Sequence, residues 1–311
     1  MAKDFKGRHL LSNADLDREE VEKVFLTASI LKAEQKLGKH QEIMKGKILG
    51  MLFEKSSTRT RISFEVAALQ LGGHAIFLPS DNLQIKRGES VPDTAKVFGR
   101  YMDIIMGRVY SHKTLEDLAA HAGIPVINGL CDQEHPCQAL GDLFTIREKK
   151  QKLEGLKLVY VGDGNNVCHS LMLAGAICGM KVVACTPEGY EPKANFVKKA
   201  KELAKLYGGE IVLEKDPNKA VVDADVIYTD VWTSMGDEGQ EKVRKAKFQP
   251  YQINGKLLKH AKPDVMVMHC LPAHRGEEIT DEVMDGPNSI VFDQAENRLH
   301  IQKAILALFS W

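Results

Sequence analysis

The segment 54–61 contains two arginines and four hydroxyl side chains. It lies between an apolar run and a segment with helical spacing of its apolar residues. The run 47–53 has the length of a buried strand, and apolar residues recur at the spacing of one helix face over 64–71. Free backbone N–H groups and the helix dipole favour an anion at such a strand-to-helix turn. Arg59 and Arg61 would otherwise oppose the dipole, so we expect a phosphate or carboxylate ligand; a solvated basic turn is the alternative.

Further polar side chains stand where predicted strands of the first half end, namely Arg108, His135 and Gln138. The carboxyl ends of parallel strands meet at one edge of a sheet, where folds of this kind bind ligands. Guanidinium groups suit a phosphate because their forked donors bind its oxygens in pairs. Pro136 keeps His135 extended, so the imidazole and Gln138 could grip a carbonyl and an amide. A purely structural histidine is the alternative for His135.

A glycine-rich turn at Val161–Asn166 follows the first predicted strand of the second half. It suggests a dinucleotide site, but Val167 stands where that fingerprint needs its third glycine, and the next strand does not end in an acidic residue. Asn165 and Asn166 at a helix N-terminus instead suit a carboxylate or an amino-acid head group. Helix capping is the alternative, and it accounts for one asparagine better than for two.

Asp230 ends another predicted strand, where its carboxylate could hold an ammonium group. Gly236 and Gly239 give the segment that follows the freedom a mobile lid requires. A solvated acidic loop is the alternative interpretation of this segment.

His269, Cys270 and His274 lie close together in the sequence and suggest a zinc site, but a fourth ligand at proper spacing is missing. A cysteine nucleophile would need a base and an orienting partner, and either histidine could serve as the base. Arg298 follows the last predicted strand.

These side chains require a scaffold in which strands and helices alternate. Apolar runs predict strands at 47–53, 74–78, 103–107, 125–128, 156–161, 181–185, 210–213, 226–228, 265–268 and 289–292. Helical spacing predicts helices at 13–38, 63–71, 91–101, 114–121, 139–150, 170–178, 193–207 and 296–309, with Asn13 or Asp15 capping the first. The alternation predicts an α/β fold, with doubly wound parallel sheets covered by helices on both faces. The polar segment 79–90 is expected to be a functional loop.

A charged stretch at 147–152, followed by Gly155, indicates a domain boundary. We expect a first domain over 1–150 and a second over 151–295, with the C-terminal helix 296–311 packing back on the first. Two parallel-sheet domains predict a binding site in the cleft between them.

Length and charge limit the possible function classes. A chain of 311 residues should form two domains or one large one. Its 42 basic and 42 acidic residues cancel, which argues against broad binding of nucleic acid or anionic membranes. No apolar run approaches the ~18 residues of a membrane-spanning helix. The segment 1–9 lacks a hydrophobic signal core and is expected to be mature sequence.

The chain contains six cysteines, none of them in a Cys-x-x-Cys pair. Several have apolar neighbours in the sequence. We expect free thiols in a reducing cytosol.

Taken together, the motifs resemble the aspartate/ornithine transcarbamoylase family, and the match runs in order over nearly the whole chain. It rests on Ser57-Thr58-Arg59-Thr60-Arg61, His135-Pro136-Cys137-Gln138, Asp163-Gly164-Asn165-Asn166, Asp230 with Ser234-Met235-Gly236, and His269-Cys270-Leu271-Pro272. The first two motifs are typical of any carbamoyltransferase. The Ser-Met-Gly and His-Cys-Leu-Pro motifs are typical of the ornithine carbamoyltransferases within the family.

The resemblance implies a site for two substrates. Carbamoyl phosphate would be held by Ser57, Thr58, Arg59, Thr60, Gln84, Arg108, His135, Gln138 and Arg298. Ornithine would be held by Asn166, Asp230, Ser234, Met235, Cys270 and Leu271. Gln84 is similar to the family residue that reaches into a neighbouring subunit's site. Catalytic roles are implied for Arg59, Arg108, His135 and Cys270.

The implied reaction is attack of the neutral δ-amine of ornithine on the carbamoyl carbon, which releases phosphate and forms citrulline. Donors at Thr60, His135 and an arginine would stabilise charge on the carbonyl oxygen, and Arg59 and Arg108 charge on the phosphate. Cys270 is then a positioning residue rather than a nucleophile. The resemblance further implies a trimeric catalytic unit, and the reaction needs no metal and no redox cofactor.

Two other function classes stay open at this point. A nicotinamide-dependent oxidoreductase is suggested by the glycine-rich turn, and a phosphate or amino-acid binding module would use the same side chains without turnover. Within the transferases, putrescine or acetylornithine could replace ornithine as the acceptor, although Asp230 favours a free α-ammonium group.

Overall fold

The computed structural model describes residues 5–233, 239 and 241–310. The chain divides into two compact units, which are unit 1 (Met1–Phe144 and Asn297–Trp311) and unit 2 (Thr145–Glu296). The division falls inside the continuous helix Pro136–Lys150, whereas the charged stretch suggested a boundary at its end. The last part of the chain, from Asn297, belongs to unit 1.

The described part of unit 1 contains a parallel sheet with the strand order β2-β1-β3-β4. The strands are β1 (Ile48–Phe53), β2 (His74–Pro79), β3 (Ile104–Arg108) and β4 (Val126–Leu130). The helices are α1 (Arg18–Lys36), α2 (Thr58–Gln70), α3 (Val91–Tyr101), α4 (His112–Ala122) and α5 (Pro136–Lys150). The strand order reverses between β1 and β3, where Phe53 pairs with Arg108. The residues that follow these two strands therefore emerge side by side, where doubly wound sheets bind ligands.

Unit 2 repeats this arrangement with the strand order β7-β6-β5-β8-β9, again parallel throughout. The strands are β5 (Lys157–Val161), β6 (Lys181–Cys185), β7 (Glu210–Glu214), β8 (Val226–Thr229) and β9 (Met266–His269). The helices are α6 (Asn166–Ile177), α7 (Ala194–Tyr207), α8 (Pro217–Ala220), α9 (Glu241–Phe248), α10 (Gly255–Leu258), α11 (Asp281–Met284) and α12 (Val291–Phe309), the last of which continues into unit 1. Here the order reverses between β5 and β8, where Val161 pairs with Thr229.

The apolar pattern accounts for these elements. The strands β1, β3 and β5 are buried at nearly every residue, as expected when helices cover both faces of a parallel sheet. In α2 the buried residues include Phe64, Ala67 and Ala68, which lie on the face indicated by the helical spacing. The prediction of two parallel α/β sheets is confirmed. No helix among the described residues is both long and apolar enough to cross a membrane.

Two element predictions are wrong. The first long helix begins at Arg18 rather than 13, because Asp17 caps it through the backbone N–H of Glu20; Asn13–Asp15 forms a separate 3-10 turn. The segment 289–292 is not a strand, since α12 starts at Val291 and only Ser289 bridges to β9. A short apolar run fits a strand and a buried helix start equally well, so periodicity cannot separate them.

Candidate active site

The turn after β1 presents the N-terminus of α2. Ser57 caps the helix, and its Oγ accepts a hydrogen bond from the backbone N–H of Thr60 at 3.2 Å. Thr58, the first helical residue, is exposed, and Arg59 is half-buried. The first turn of α2 contains no acidic residue, so its N–H groups and the positive end of the dipole suit an anionic ligand.

Arg61 is engaged elsewhere. Its guanidinium lies 3.9 Å from the centre of the Phe77 ring, and its Nε is 3.7 Å from the Glu65 carboxylate. Successive residues of a helix are rotated by about 100°, so Arg59 and Arg61 point in nearly opposite directions. The expectation that both arginines hold the anion is therefore wrong for Arg61, while Arg59 remains a candidate.

Four side chains from α2, β3, α5 and α12 meet in what we call the Thr60 cluster, consisting of Thr60, Arg108, Gln138 and Arg298. Thr60 is fully buried, and its Oγ1 accepts hydrogen bonds from Arg298 Nη2 at 2.9 Å and from Arg108 Nη1 at 3.4 Å. Arg298 Nη1 donates to Gln138 Oε1. Two guanidinium groups that are both less than a tenth exposed make this site strongly positive. Such a site favours an anion with several acceptor oxygens.

Gln138 connects the Thr60 cluster to Asp142, one turn further along α5. Gln138 Nε2 donates to Asp142 Oδ1 at 2.7 Å. Both side chains are buried. Asp142 was not singled out by the motifs; its place on the predicted helix 139–150, four residues after Gln138, was the available signal.

His135 stands between β4 and α5 and is also buried. Burial lowers the pKa of His135 well below its ordinary value of 6.5, and the charges of Arg298 and Arg108 lower it further. The imidazole is therefore neutral at physiological pH. A neutral imidazole can donate one N–H hydrogen bond to a carbonyl oxygen without adding charge.

Gln84 lies apart from these residues, in the short 3-10 turn Gln84–Arg87, and its side chain is exposed. Among the described residues no hydrogen bond joins its side chain to the Thr60 cluster. This position suits a residue that acts outside its own chain.

In unit 2 the two asparagines after β5 have different positions. Asn165 caps α6, and its Oδ1 accepts from the backbone N–H groups of Val167 at 2.9 Å and Cys168 at 3.2 Å. Asn165 Nδ2 donates to Asp230 Oδ2 at 2.9 Å. Asn166 is the first residue of α6 and is half-buried. Capping therefore accounts for Asn165 and leaves Asn166 as the ligand candidate.

Gly164 of this turn has a packing role. A Cβ atom at Gly164 would lie 2.3 Å from the backbone nitrogen of Pro192. The Gly164 N–H donates to the Tyr190 carbonyl at 2.9 Å. Close approach of the 190–192 backbone thus explains a glycine here without a dinucleotide, which weakens the oxidoreductase hypothesis.

Asp230, which follows β8, accepts hydrogen bonds from three donors. Its Oδ2 accepts from Asn165, and its Oδ1 accepts from the Val231 N–H at 2.8 Å and from Cys270 Sγ at 2.9 Å. An ionised carboxylate has about four lone-pair positions, so one more donor can be accommodated. We call Asn165, Asp230 and Cys270 the Asp230 cluster; it suits a cationic group.

The segment after β9 brings Cys270 to this cluster, and Leu271 follows it in the chain. Leu271 has a φ of 59°, in the left-handed region that side chains with a Cβ rarely adopt. Its N–H donates to His269 Nδ1 at 2.8 Å. His269 Nε2 lies 3.0 Å from Glu278 Oε1, and both side chains are fully buried. This buried pair holds the backbone at Leu271 in its strained conformation.

Asp230, His269 and Cys270 place their ligand atoms within 4.8 Å of one another, so a metal could bind here. However, both ring nitrogens of His269 already take part in hydrogen bonds, to Leu271 and Glu278. A metal ion would have to displace one of them, which disfavours the zinc hypothesis.

Arg244 of α9 is a residue that the sequence did not single out, because it stands among several other charged residues of a short helix. It is buried, its Nε donates to the Trp232 carbonyl at 2.7 Å, and its Nη2 pairs with the Asp163 carboxylate. Arg244 thus ties the segment after β8 to the turn after β5. Ser234 and Met235, which the motifs assign to the ligand, lie outside the described residues.

Two family models match this chain. The carbamoyl-P binding domain of aspartate/ornithine carbamoyltransferase matches residues 8–148, and the Asp/Orn binding domain matches residues 154–309. The ornithine carbamoyltransferase of Pyrococcus abyssi is 58% identical over 308 residues, which cover 99% of this chain and 97% of the relative. The anabolic ornithine carbamoyltransferase of Pyrococcus furiosus is 59% identical over 302 residues, covering 97% and 96%.

Solved structures agree with these matches. Ornithine carbamoyltransferase from Pyrococcus furiosus superposes with a TM-score of 0.96 at 57% identity, covering 99% of this chain and 98% of that one. The enzyme from Gloeobacter violaceus gives a TM-score of 0.89 at 47% identity, covering 99% and 100%. With both domain models matched in order and relatives more than half identical over almost its whole length, the chain belongs to the aspartate/ornithine carbamoyltransferase family.

Proposed function

We propose that this chain is an ornithine carbamoyltransferase. It transfers the carbamoyl group of carbamoyl phosphate to the δ-amine of L-ornithine and forms L-citrulline and phosphate. The observation that carries this proposal is an identity of 58–59% with proteins named ornithine carbamoyltransferase. The family models support a division of labour in which unit 1 binds carbamoyl phosphate and unit 2 binds ornithine.

Carbamoyl phosphate is assigned to the turn after β1 and to the Thr60 cluster. Ser57, Thr58 and Arg59 bind its phosphate, which the positive dipole end of α2 and the lack of an acidic residue in its first turn support. Thr60, His135, Gln138 and Arg298 bind the carbamoyl end, and Arg108 binds the phosphate from its place in the Thr60 cluster. The burial of these side chains supports the assignment, as do the hydrogen bonds that join Thr60 to Arg108 and Arg298, and Arg298 to Gln138.

Ornithine is assigned to the Asp230 cluster and its neighbours. Asp230 receives the α-ammonium group as its fourth donor, and Asn166 binds the α-carboxylate at the start of α6. Cys270 and Leu271 lie beside the side-chain amine. The motif assigns Ser234 and Met235 to the α-amino and α-carboxylate groups as well.

The chemistry follows from these positions. The lone pair of the δ-nitrogen forms the new C–N bond, and the carbonyl electrons move onto oxygen. Thr60 and neutral His135 donate hydrogen bonds to that oxygen, together with a guanidinium. The carbonyl then re-forms as the C–O bond to phosphate breaks, and the proton released by the δ-nitrogen passes to the leaving phosphate. Arg59 and Arg108 stabilise the departing HPO₄²⁻. Because only the neutral amine has a lone pair to donate, activity rises with pH through its ionisation in the complex.

The proposal is tested by citrulline formation from carbamoyl phosphate and ornithine. Arg59→Gln should lower kcat by about 10²–10³-fold, because a donor to the leaving group is lost. Arg61→Gln is the matched control on the same helix turn, since its partners are Phe77 and Glu65, and it should retain activity. Well-folded protein that forms no citrulline would overturn the proposal.

The acceptor is tested in the same assay with putrescine and acetylornithine. Ornithine should be preferred, because only it presents a free α-ammonium group to Asp230. Asp230→Asn should remove most of that preference. Equal rates with all three amines would argue against the assignment of ornithine.

We also propose that the chain acts as a trimer or a multiple of trimers, with Gln84 completing a neighbouring subunit's site. Exposed apolar side chains on α2 and β2, namely Ile62, Leu69 and Ile76, support an interface between copies. Native mass tests the trimer. Mixing and reassociating inactive Arg59→Gln and Gln84→Ala chains should restore about one quarter of the sites. No recovery after proven exchange would contradict the role of Gln84.

A cytoplasmic location is supported by the thiols. All six cysteines are free, and five of them are buried. Such a set is typical of proteins in a reducing compartment. Titration of the denatured protein, isolated without reductant, should find all six thiols.

A further inference from the structure

The reaction derived above gives no role to Asp142. Its carboxylate is fully buried, and it lies four residues after Gln138 on α5. Gln138 Nε2 donates to Asp142 Oδ1 at 2.7 Å, while Gln138 Oε1 accepts from Arg298 Nη1. The amide is thus held between a carboxyl oxygen that accepts its hydrogen bond and a guanidinium that donates one to it.

These two neighbours determine which way round the amide stands. A carboxylate only accepts hydrogen bonds, and a guanidinium only donates them. The reversed amide would place its oxygen against the oxygen of Asp142 and its NH₂ against Arg298. Such contacts are unfavourable in a buried site, because water cannot reach the two like groups to supply the hydrogen bonds that they lack. The oxygen of Gln138 is therefore kept on the side of the Thr60 cluster.

A carbonyl oxygen has two lone pairs, and Arg298 uses one of those on Gln138. The other is available to a donor on the ligand. The carbamoyl group carries such a donor, its NH₂. In acetyl phosphate a methyl group takes the place of that NH₂, while the carbonyl and the phosphate are the same.

We infer that Asp142 is a positioning residue that sets the preference for a carbamoyl over an acetyl group, by holding the Gln138 amide with its oxygen toward the ligand. Asp142 acts through Gln138 and does not touch the substrate. The inference rests on the proposed function, because it takes the carbamoyl end of the substrate to lie against the Thr60 cluster.

Asp142→Leu tests this, because leucine has the same branched shape and accepts no hydrogen bond. The KM for carbamoyl phosphate should rise about tenfold, since the amide is then oriented by Arg298 alone. The inhibition constant for inorganic phosphate should stay unchanged, because its binding groups on α2 are untouched. Acetyl phosphate has no NH₂ for Gln138 to accept from, so its inhibition constant should also stay the same. The ratio of that constant to the carbamoyl phosphate KM should therefore fall about tenfold. Asp142→Asn keeps an acceptor oxygen and should restore most of the preference.

A double variant separates this role from a merely structural one. If Asp142 acts through Gln138, then adding Asp142→Leu to Gln138→Leu should not raise the carbamoyl phosphate KM further. The double variant also removes both buried partners together, which protects the fold if the single leucine variant is unstable. Calorimetric titration with inorganic phosphate checks that each variant retains its anion site.

Two results would overturn the inference. One is a ratio of the acetyl phosphate inhibition constant to the carbamoyl phosphate KM that stays the same in Asp142→Leu; if that variant does not fold, the deciding comparison is the carbamoyl phosphate KM of the double variant against that of Gln138→Leu. The other is an additive effect of the two leucine changes, which would show that Asp142 acts independently of Gln138. Neither result touches the proposed function as long as wild-type protein forms citrulline. A wild-type protein without citrulline would instead remove the proposed function itself.

Discussion

Replacing Thr60 by valine is a sharp test of the carbamoyl end of the site, because it removes one buried hydroxyl and keeps the shape. Thr60 Oγ1 accepts hydrogen bonds from Arg298 at 2.9 Å and from Arg108 at 3.4 Å. A hydroxyl that accepts two hydrogen bonds still has its own proton to donate. We assign that donation to the carbonyl oxygen of the transition state.

The expected magnitudes follow from these contacts. Loss of one donor to a developing oxyanion costs about 2.7–4 kcal/mol of barrier, which lowers kcat about 10²–10³-fold. The contact with Arg298 is a charge-assisted hydrogen bond worth roughly 1.5–3 kcal/mol of unfolding free energy. The contact with Arg108 is long and adds little. Because Arg298 keeps its bond to Gln138, we expect a loss of unfolding free energy of about 2 kcal/mol.

The assay measures citrulline formation with each substrate varied in turn, together with urea unfolding of the same samples. Thr60→Ser keeps the hydroxyl and should recover most of kcat. Ser63→Ala is the control on the same helix, because its Oγ donates to backbone carbonyls of that helix, of Arg59 at 2.7 Å and of Thr60 at 3.4 Å. That variant should keep kcat and lose only a little stability.

The reasoning is refuted if Thr60→Val folds and keeps a kcat close to that of wild type. It is also refuted if the serine and valine variants are equally slow, since the hydroxyl would then have no part in the rate. A fall in stability without a fall in kcat would leave Thr60 as a structural anchor of the two arginines.

Three further predictions concern the remaining polar groups. Burial and the adjacent arginines lower the pKa of His135 well below 6.5, so its stabilising contribution is complete above pH 6.5 and is lost as pH falls toward the folded pKa. His135→Gln should therefore flatten the decline of unfolding free energy between about pH 7 and pH 5, and an unchanged slope in urea titrations would contradict this. Arg244→Gln removes the ties to Asp163 and to the Trp232 carbonyl, so the KM for ornithine should rise while binding of inorganic phosphate in a calorimeter stays the same. Asp230→Asn should raise the KM for ornithine by roughly tenfold or more, because a buried charge pair with the α-ammonium is lost, and saturation kinetics at unchanged KM would rule that contact out.

Local sequence patterns were sufficient to predict much of the fold. Apolar runs of strand length alternating with helical spacing are sufficient to predict parallel sheets, because burial on both faces requires continuous apolar strands. The same patterns located the polar residues at strand ends, since those residues interrupt each run. They failed at 289–292, where an apolar run starts α12 instead of forming a strand.

Neighbouring residues of the same type could not be told apart in this way. Arg59 and Arg61 are equivalent in sequence, yet helix rotation and the Phe77 ring separate them. Asn165 and Asn166 likewise differ only in their place relative to the first turn of α6. Such differences depend on backbone register to within one residue, which is the least certain part of any prediction from periodicity.

The sequence by itself determined the α/β rhythm, the anion-binding turn at the start of α2 and the motifs of the family, because each of these is local and follows from spacing along the chain. Only the tertiary structure decided which distant groups share hydrogen bonds. Thr60 meets Arg298 across 238 residues, and Gln138 meets it across 160. Contacts over such separations arise from the packing of α12 in unit 1, and no local spacing encodes that packing.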